Sequence, residues 1–193
     1  MSESLRIDVL GVGDVLMGDD GIGPFIVKIP ESMYEFTEVV LHDLGTPGLD
    51  TTSFFANDHT IVLLHAVNAK GLPSEVKLYR KQQLVRTPIP RRVSAHDPTV
   101  AQASLFAERS GKCPREVLRM GIVPESVALR CCLTEAIPSA VATAISAVLA
   151  ERHRLGVHAK LRHDRALPSI WWTEQVSCAS SLGESLDVPG YSG

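Results

Sequence analysis

Four short runs rich in apolar and β-branched residues mark the chain, at 6–10, 38–41, 60–64 and 116–122. Their length and near-continuous hydrophobicity predict buried strands. Between them the apolar period lengthens to that of a helix. Residues 21–28 lead into Ile29 with Ile22, Phe25 and Ile26 on one face; Pro24 is tolerable in a first turn and Pro30 is expected to end the helix. Segments 49–56 and 98–109 can each cover a sheet face. The clearest helix spans 135–154, where Ile137, Val141, Ile145, Val148 and Leu149 form a stripe and Thr134 is available as a cap.

Strands alternating with helices predict a parallel, doubly wound sheet. One connection breaks the rule: from Leu64 to Glu75 there is no room for a helical crossover, so 75–80 is expected to return antiparallel. The expected fold class is therefore α/β, a three-layer α/β/α sandwich around a mixed, mostly parallel, twisted sheet of five strands. Residues 1–155 make up this domain. In 156–193 the pattern stops: His158, His163, Trp171 and Trp172 are scattered in a Ser- and Gly-rich stretch. That segment reads as an extension, partly disordered or packed over the core by its tryptophans.

Composition narrows the function. With 193 residues, 45% hydrophobic, and a net charge of −3, the chain has an ordinary globular make-up without the basic surface of a nucleic-acid binder. No apolar run approaches the roughly 20 residues that span a membrane, and the N-terminus lacks the pattern of a signal peptide. A cytoplasmic location and a monomer are expected. Cys113, Cys131, Cys132 and Cys178 show no C-x-x-C spacing. Buried, reduced thiols are expected for all of them.

In an open α/β sheet ligands bind beyond the carboxyl ends of the strands. Four loops fall there: G-V-G-D-V-L-M-G-D-D-G from Gly11, H-D-L-G-T-P-G from His42, His65 with A-V-N-A-K-G, and S-A-H-D-P from Ser94. They gather Asp19, Asp20, Asp43, His65, His96 and Asp97. The first loop is not G-x-G-x-x-G and has no phosphate-binding lysine, and its Asp14, Asp19 and Asp20 would repel pyrophosphate. Asp19 suits a helix N-cap, which leaves Asp20 free to face the cleft. Alone, His65 is a strand-end histidine and His96 a loop residue. Taken with Asp20 they make a two-histidine, one-carboxylate set suited to zinc, iron or nickel.

These loops resemble the motifs of the hydrogenase maturation endopeptidases. G-V-G-D-V-L-M-G-D-D-G-I-G is similar to that family's G-[IV]-G-N-x-L-x-x-D-[ED]-G-x-G, and D-L-G-T-P-G from Asp43 to its D-G-G-T-x-G. S-A-H resembles S-x-H, and G-I-V-P-E-S from Gly121 resembles G-[IV]-x-P-E-S. The resemblance covers about residues 5–150. It implies a twisted sheet between helix layers and removal of the C-terminal extension from a nickel–iron hydrogenase large-subunit precursor after metal insertion. The nickel, supplied by the precursor, is sensed through two carboxylates and a histidine. Carried over, the second acid is Asp20 and the S-x-H histidine is His96. The two glycines around Thr46-Pro47 suggest a backbone that passes close to an extended substrate, which makes Asp43, Gly45, Thr46 and Gly48 the expected substrate loop; the alternative is an ordinary turn entering the helix at Leu49. His65 stands where the family has an aspartate, and Asp14 replaces the family's asparagine. The expected catalytic and metal set is thus Asp20, His65 and His96. Two other readings remain beside the protease: a non-catalytic, metal-sensing or precursor-binding chaperone of the same fold, and a small metal enzyme holding its own ion.

Overall fold

The computed structural model describes residues 6–47, 51–55, 59–81, 109, 111, 114–164, 166, 168–170 and 172. Five strands form one sheet: β1 (Ile7–Val12), β3 (Val39–Gly45), β4 (Thr60–Ala66), β5 (Val76–Arg80) and β6 (Glu116–Ile122), in the order β3-β1-β4-β6-β5. Pairing is parallel across β3, β1, β4 and β6, and β5 lies antiparallel on β6. Every residue of β1 and β4 is buried, whereas the edge strands β3 and β5 are partly exposed. Continuous hydrophobicity thus marks β1 and β4, which are covered on both faces. The run 38–41, expected to be buried, lies in the edge strand β3 with Val40 exposed, because no strand among the described residues flanks it on its outer side.

Alternation along the strands divides the core. Ile7, Val9, Val39, Val62, Leu64, Leu118 and Met120 face one side, and pack on α1 (Ile22–Met33) and on α3 (Pro138–Arg154). Leu10, Val12, Ile61, Leu63 and Val117 face the other, where Phe55 of the short helix α2 (Thr51–Phe55) covers them. The result is a layered α/β/α arrangement. No helix among the described residues is long and apolar enough to cross a membrane.

Several boundaries differ from the sequence reading. Helix α1 does not stop at Pro30 but runs through it to Met33. A proline so near a C-terminus forfeits one hydrogen bond, and its fixed φ is helical; buried Ile29 and Met33 hold the last turn to the core. Helix α3 begins at Pro138 rather than at 135, and Thr134 does not cap it. A small second sheet was not legible at all: β2 (Tyr34–Phe36) pairs antiparallel with β7 (Ala159–Leu161). Beyond residue 155, Val157, Ile170 and Trp172 join the larger core. Most of the segment 98–109 lies outside the described residues.

Two polar clusters tie the sheet to its surroundings. Glu151 of α3 is buried and accepts a two-pronged contact from Arg80 of β5, at 2.9 Å to each oxygen, and another from Arg154 at 2.8 Å. Burial pushes its carboxyl up, but the two guanidinium groups outweigh that and bring it down to about 2. Asp8 of β1 is buried between His42 at 3.0 Å, His59 at 2.8 Å and Arg6. Here too burial raises the carboxyl, and the hydrogen bonds from His42, His59 and Arg6 together hold it below its ordinary value.

The expectation of reduced cysteines is corrected at one position. Cys132 is disulfide-bonded, while Cys131 beside it is free. Sequence spacing disfavours a bond between neighbours but does not decide whether either of them bonds elsewhere.

Candidate functional site

The glycine-rich exit of β1 folds back on itself. Residues 18–21 form a 3-10 turn (η1, Gly18–Gly21) that leads straight into α1 and rests on β4. A side chain at Gly13 would place its Cβ 1.8 Å from the carbonyl oxygen of Asp20, so only glycine lets the two limbs of this loop close. At Gly23 a Cβ would lie 2.4 Å from the carbonyl oxygens of both Val12 and Leu64. The start of α1 is thereby seated on the carboxyl ends of β1 and β4, where the sequence places its candidate chemistry.

The adjacent acids have different tasks. Asp19 is fully buried and does not cap a helix, contrary to the sequence reading. Its Oδ2 accepts from the backbone N–H groups of Glu125 and Ser126 at 2.9 and 3.0 Å and from the Thr134 hydroxyl at 2.9 Å. Its Oδ1 accepts from Thr134 N–H at 2.7 Å. A carboxylate with this many donors anchors the P-E-S loop to the β1 exit. Asp20, also buried, accepts from Asp14 N–H at 2.8 Å through Oδ2. Asp14 in turn accepts from Leu16 N–H at 2.9 Å, so the aspartate in the asparagine position closes the turn that presents Asp20.

His65 is the penultimate residue of β4, buried, on the face of Ile61 and Leu63. Arg119 of β6 donates its Nε–H to His65 Nε2 at 2.6 Å. The guanidinium also lies 5.9 Å from the ring centroid of Tyr79, its cross-strand neighbour on β5. Sequence reasoning passed over Arg119. The signal was present: a charge in the middle of the apolar run 117–122 demands a partner.

The substrate-loop residues sit on the other side. Asp43 continues the β3 face of Val39 and Leu41, which packs on α1, so it and His65 leave opposite faces of the sheet. It lines a cavity of about 400 Å³ with Lys28, Glu31 and Ser32 of α1 and with Ser169 and Trp172. Its Oδ1 accepts from Gly45 N–H at 3.1 Å. Gly45 has φ +54°, with nothing within 4 Å of a side chain built there, and Thr46 is exposed. His96 and Gly48 lie outside the described residues. Asp20 and His65 are thus the described members of the expected set; among the described residues no group of three histidines, cysteines or acids is arranged to hold a metal ion.

The family model described as hydrogenase maturation protease matches residues 25–151. A hydrogenase 2 maturation protease from Escherichia coli is 31% identical over 157 residues, which make up 80% of this chain and 95% of that protein. Among solved structures, the hydrogenase maturating endopeptidase HybD from Escherichia coli superposes with a TM-score of 0.76 at 29% identity, over 83% of this chain and 99% of its own. A hydrogenase 2 maturation peptidase from a Thaumarchaeota archaeon gives a TM-score of 0.58 at 28% identity, over 79% of this chain and 99% of its own.

Proposed function

The chain belongs to the hydrogenase maturation protease family, and from that premise we propose that it removes the C-terminal extension of a nickel–iron hydrogenase large-subunit precursor after metal insertion. Nickel in this reading is part of the substrate. Asp20, His65 and His96 supply ligands from the protease, and the precursor supplies the rest. Carboxylate and neutral imidazole suit that ion. A metal shared by both proteins fixes the peptide bond in place only once insertion is complete, so cleavage follows loading. The extended peptide crosses the carboxyl edge of β1, between His65 on one face and the loop of Asp43, Gly45 and Thr46 on the other. The protein acts as a monomer in the cytoplasm.

The observation that carries the reading is Asp20, held by Asp14 N–H at the exit of β1 in a turn that rests on β4, the strand that bears His65. The test is incubation with nickel-loaded precursor followed by mass measurement of the large subunit. Loss of the extension, from loaded precursor and not from nickel-free precursor, is the expected result. Binding without loss of mass would mark a precursor-binding chaperone of the same fold instead.

A further inference from the structure

His65 is one of the positions at which this chain departs from the resembling motifs, and its partner is equally particular. On β6, Gly121 stands opposite His65 and Arg119 stands opposite Leu63, so Arg119 reaches diagonally along the sheet face past a residue with no side chain. Tyr79 stands opposite Arg119 on its other flank. The guanidinium is thus held between an aromatic ring 5.9 Å away and an imidazole nitrogen 2.6 Å away.

The chemistry of that contact is restrictive. An arginine Nε–H can only donate, so His65 Nε2 must present its lone pair to it. The imidazole proton then sits on Nδ1. In this tautomer Nε2 is the nitrogen able to bind a metal, and a cationic donor already occupies its lone pair. A divalent ion approaching Nε2 meets both a filled position and a positive charge.

We propose that Arg119 is a positioning residue that fixes the Nδ1–H tautomer of His65 and closes Nε2 to free metal ions until a docked precursor displaces the guanidinium. The inference rests on the reading of His65 as a ligand for substrate nickel and adds how the protease avoids loading itself. A site open to any passing zinc or nickel would be blocked before a precursor arrived. Arg119 makes ligation at His65 conditional on a partner that can take over the guanidinium.

Two measurements test this without precursor. The first is a side-chain ¹⁵N–¹H correlation spectrum at about pH 8, above the histidine titration range, with the His65 signals assigned by loss in His65→Gln. Wild type should show the Nδ1–H tautomer, and Arg119→Met should lose that preference. The second is competition with a chromophoric chelator for nickel and for zinc. Arg119→Met, which keeps the length of the stem, should bind at least tenfold more tightly than wild type, and adding His65→Ala should abolish the gain. An Nε2–H tautomer in wild type, or equal metal affinity in wild type and Arg119→Met, overturns the proposal. If Arg119→Met fails to fold, Arg119→Lys, which retains charge but lacks the Nε–H, should still lose the tautomer preference; an unchanged tautomer there counts against it. A wild-type protein that never cleaves precursor would sink the processing assignment and leave these outcomes readable.

Discussion

Thr134 gives both its donors to a single carboxylate: its N–H meets Asp19 Oδ1 at 2.7 Å and its hydroxyl meets Oδ2 at 2.9 Å. With Glu125 and Ser126 also donating to Oδ2, one buried side chain holds the β1 exit to a loop more than a hundred residues away in sequence. The D-D pair thereby separates into an acid, Asp19, that anchors the loop and an acid, Asp20, to which the proposed function gives a ligand's role.

Asp19→Asn keeps the size but turns an NH₂ group toward N–H donors. Hydrogen bonds to a charged acceptor contribute about 1.5–3 kcal/mol each and are not additive. A loss of about 3 kcal/mol is expected, which lowers the melting temperature by roughly 6–12 °C in a domain of this size. Calorimetry checks it; a shift under about 2 °C would show that the loop is held by other contacts.

Asp20→Asn should behave in the opposite way. The amide oxygen still accepts from Asp14 N–H, so the melting temperature should move by less than about 4 °C. Processing of the precursor should fall by about 100-fold or more, the scale on which loss of a reacting-site group acts. Equal losses of stability and processing would make Asp20 a second anchor.

Gly45 offers a test of substrate approach. Its φ of +54° would strain valine, but asparagine tolerates that conformation, and a side chain there meets nothing within 4 Å in the free protein. Gly45→Asn should therefore melt near the wild-type temperature. Its KM for precursor should rise several-fold if the peptide passes close to the loop. An unchanged KM assigns Gly45 to the turn alone.

Glu151 predicts a pH signature. Its folded pKa of about 2 lies below the ordinary 4.5, so the native state releases this proton more readily than the unfolded chain does. The stabilisation is complete above about pH 4.5 and is lost as pH falls toward 2. With partners Arg80 and Arg154 roughly half-exposed, the effect is on the order of 2 kcal/mol. Urea midpoints should place Glu151→Gln below wild type at pH 7, with a gap that narrows at pH 3. A gap of equal size at both pH values would exclude the ion pair as its source.

The sequence was most informative where one signal sufficed. The buried strands β1 and β4 read from continuous hydrophobicity, and the antiparallel β5 from the short connection after Leu64. Asp20 and His65 were located at adjacent strand exits by the same logic. Misreadings came where the deciding partner was remote. Asp19 and Thr134 each carry the local signature of a helix cap, yet each finds the other instead. The three-residue strands β2 and β7 are too short for any period to register. Arg119 called for a partner that only the strand pairing identifies as His65, and Cys132 gave no sign of its disulfide.

The pairing of β2 with β7 also sets a schedule. Met33, at the end of α1, leaves a carbonyl that accepts from Arg162 N–H at 3.0 Å, and Tyr34 beside it packs in one core with Val157, Ile170 and Trp172. On a ribosome the N-terminal half emerges first, at about 5–20 residues per second. The helix that seats the glycine loop therefore waits several seconds, its last turn uncapped and its apolar end uncovered, until residues 157–172 are made. During that interval the end of α1 lacks its cover, and a synthesis arrest before this point leaves a chain with every described motif made and no finished floor beneath them.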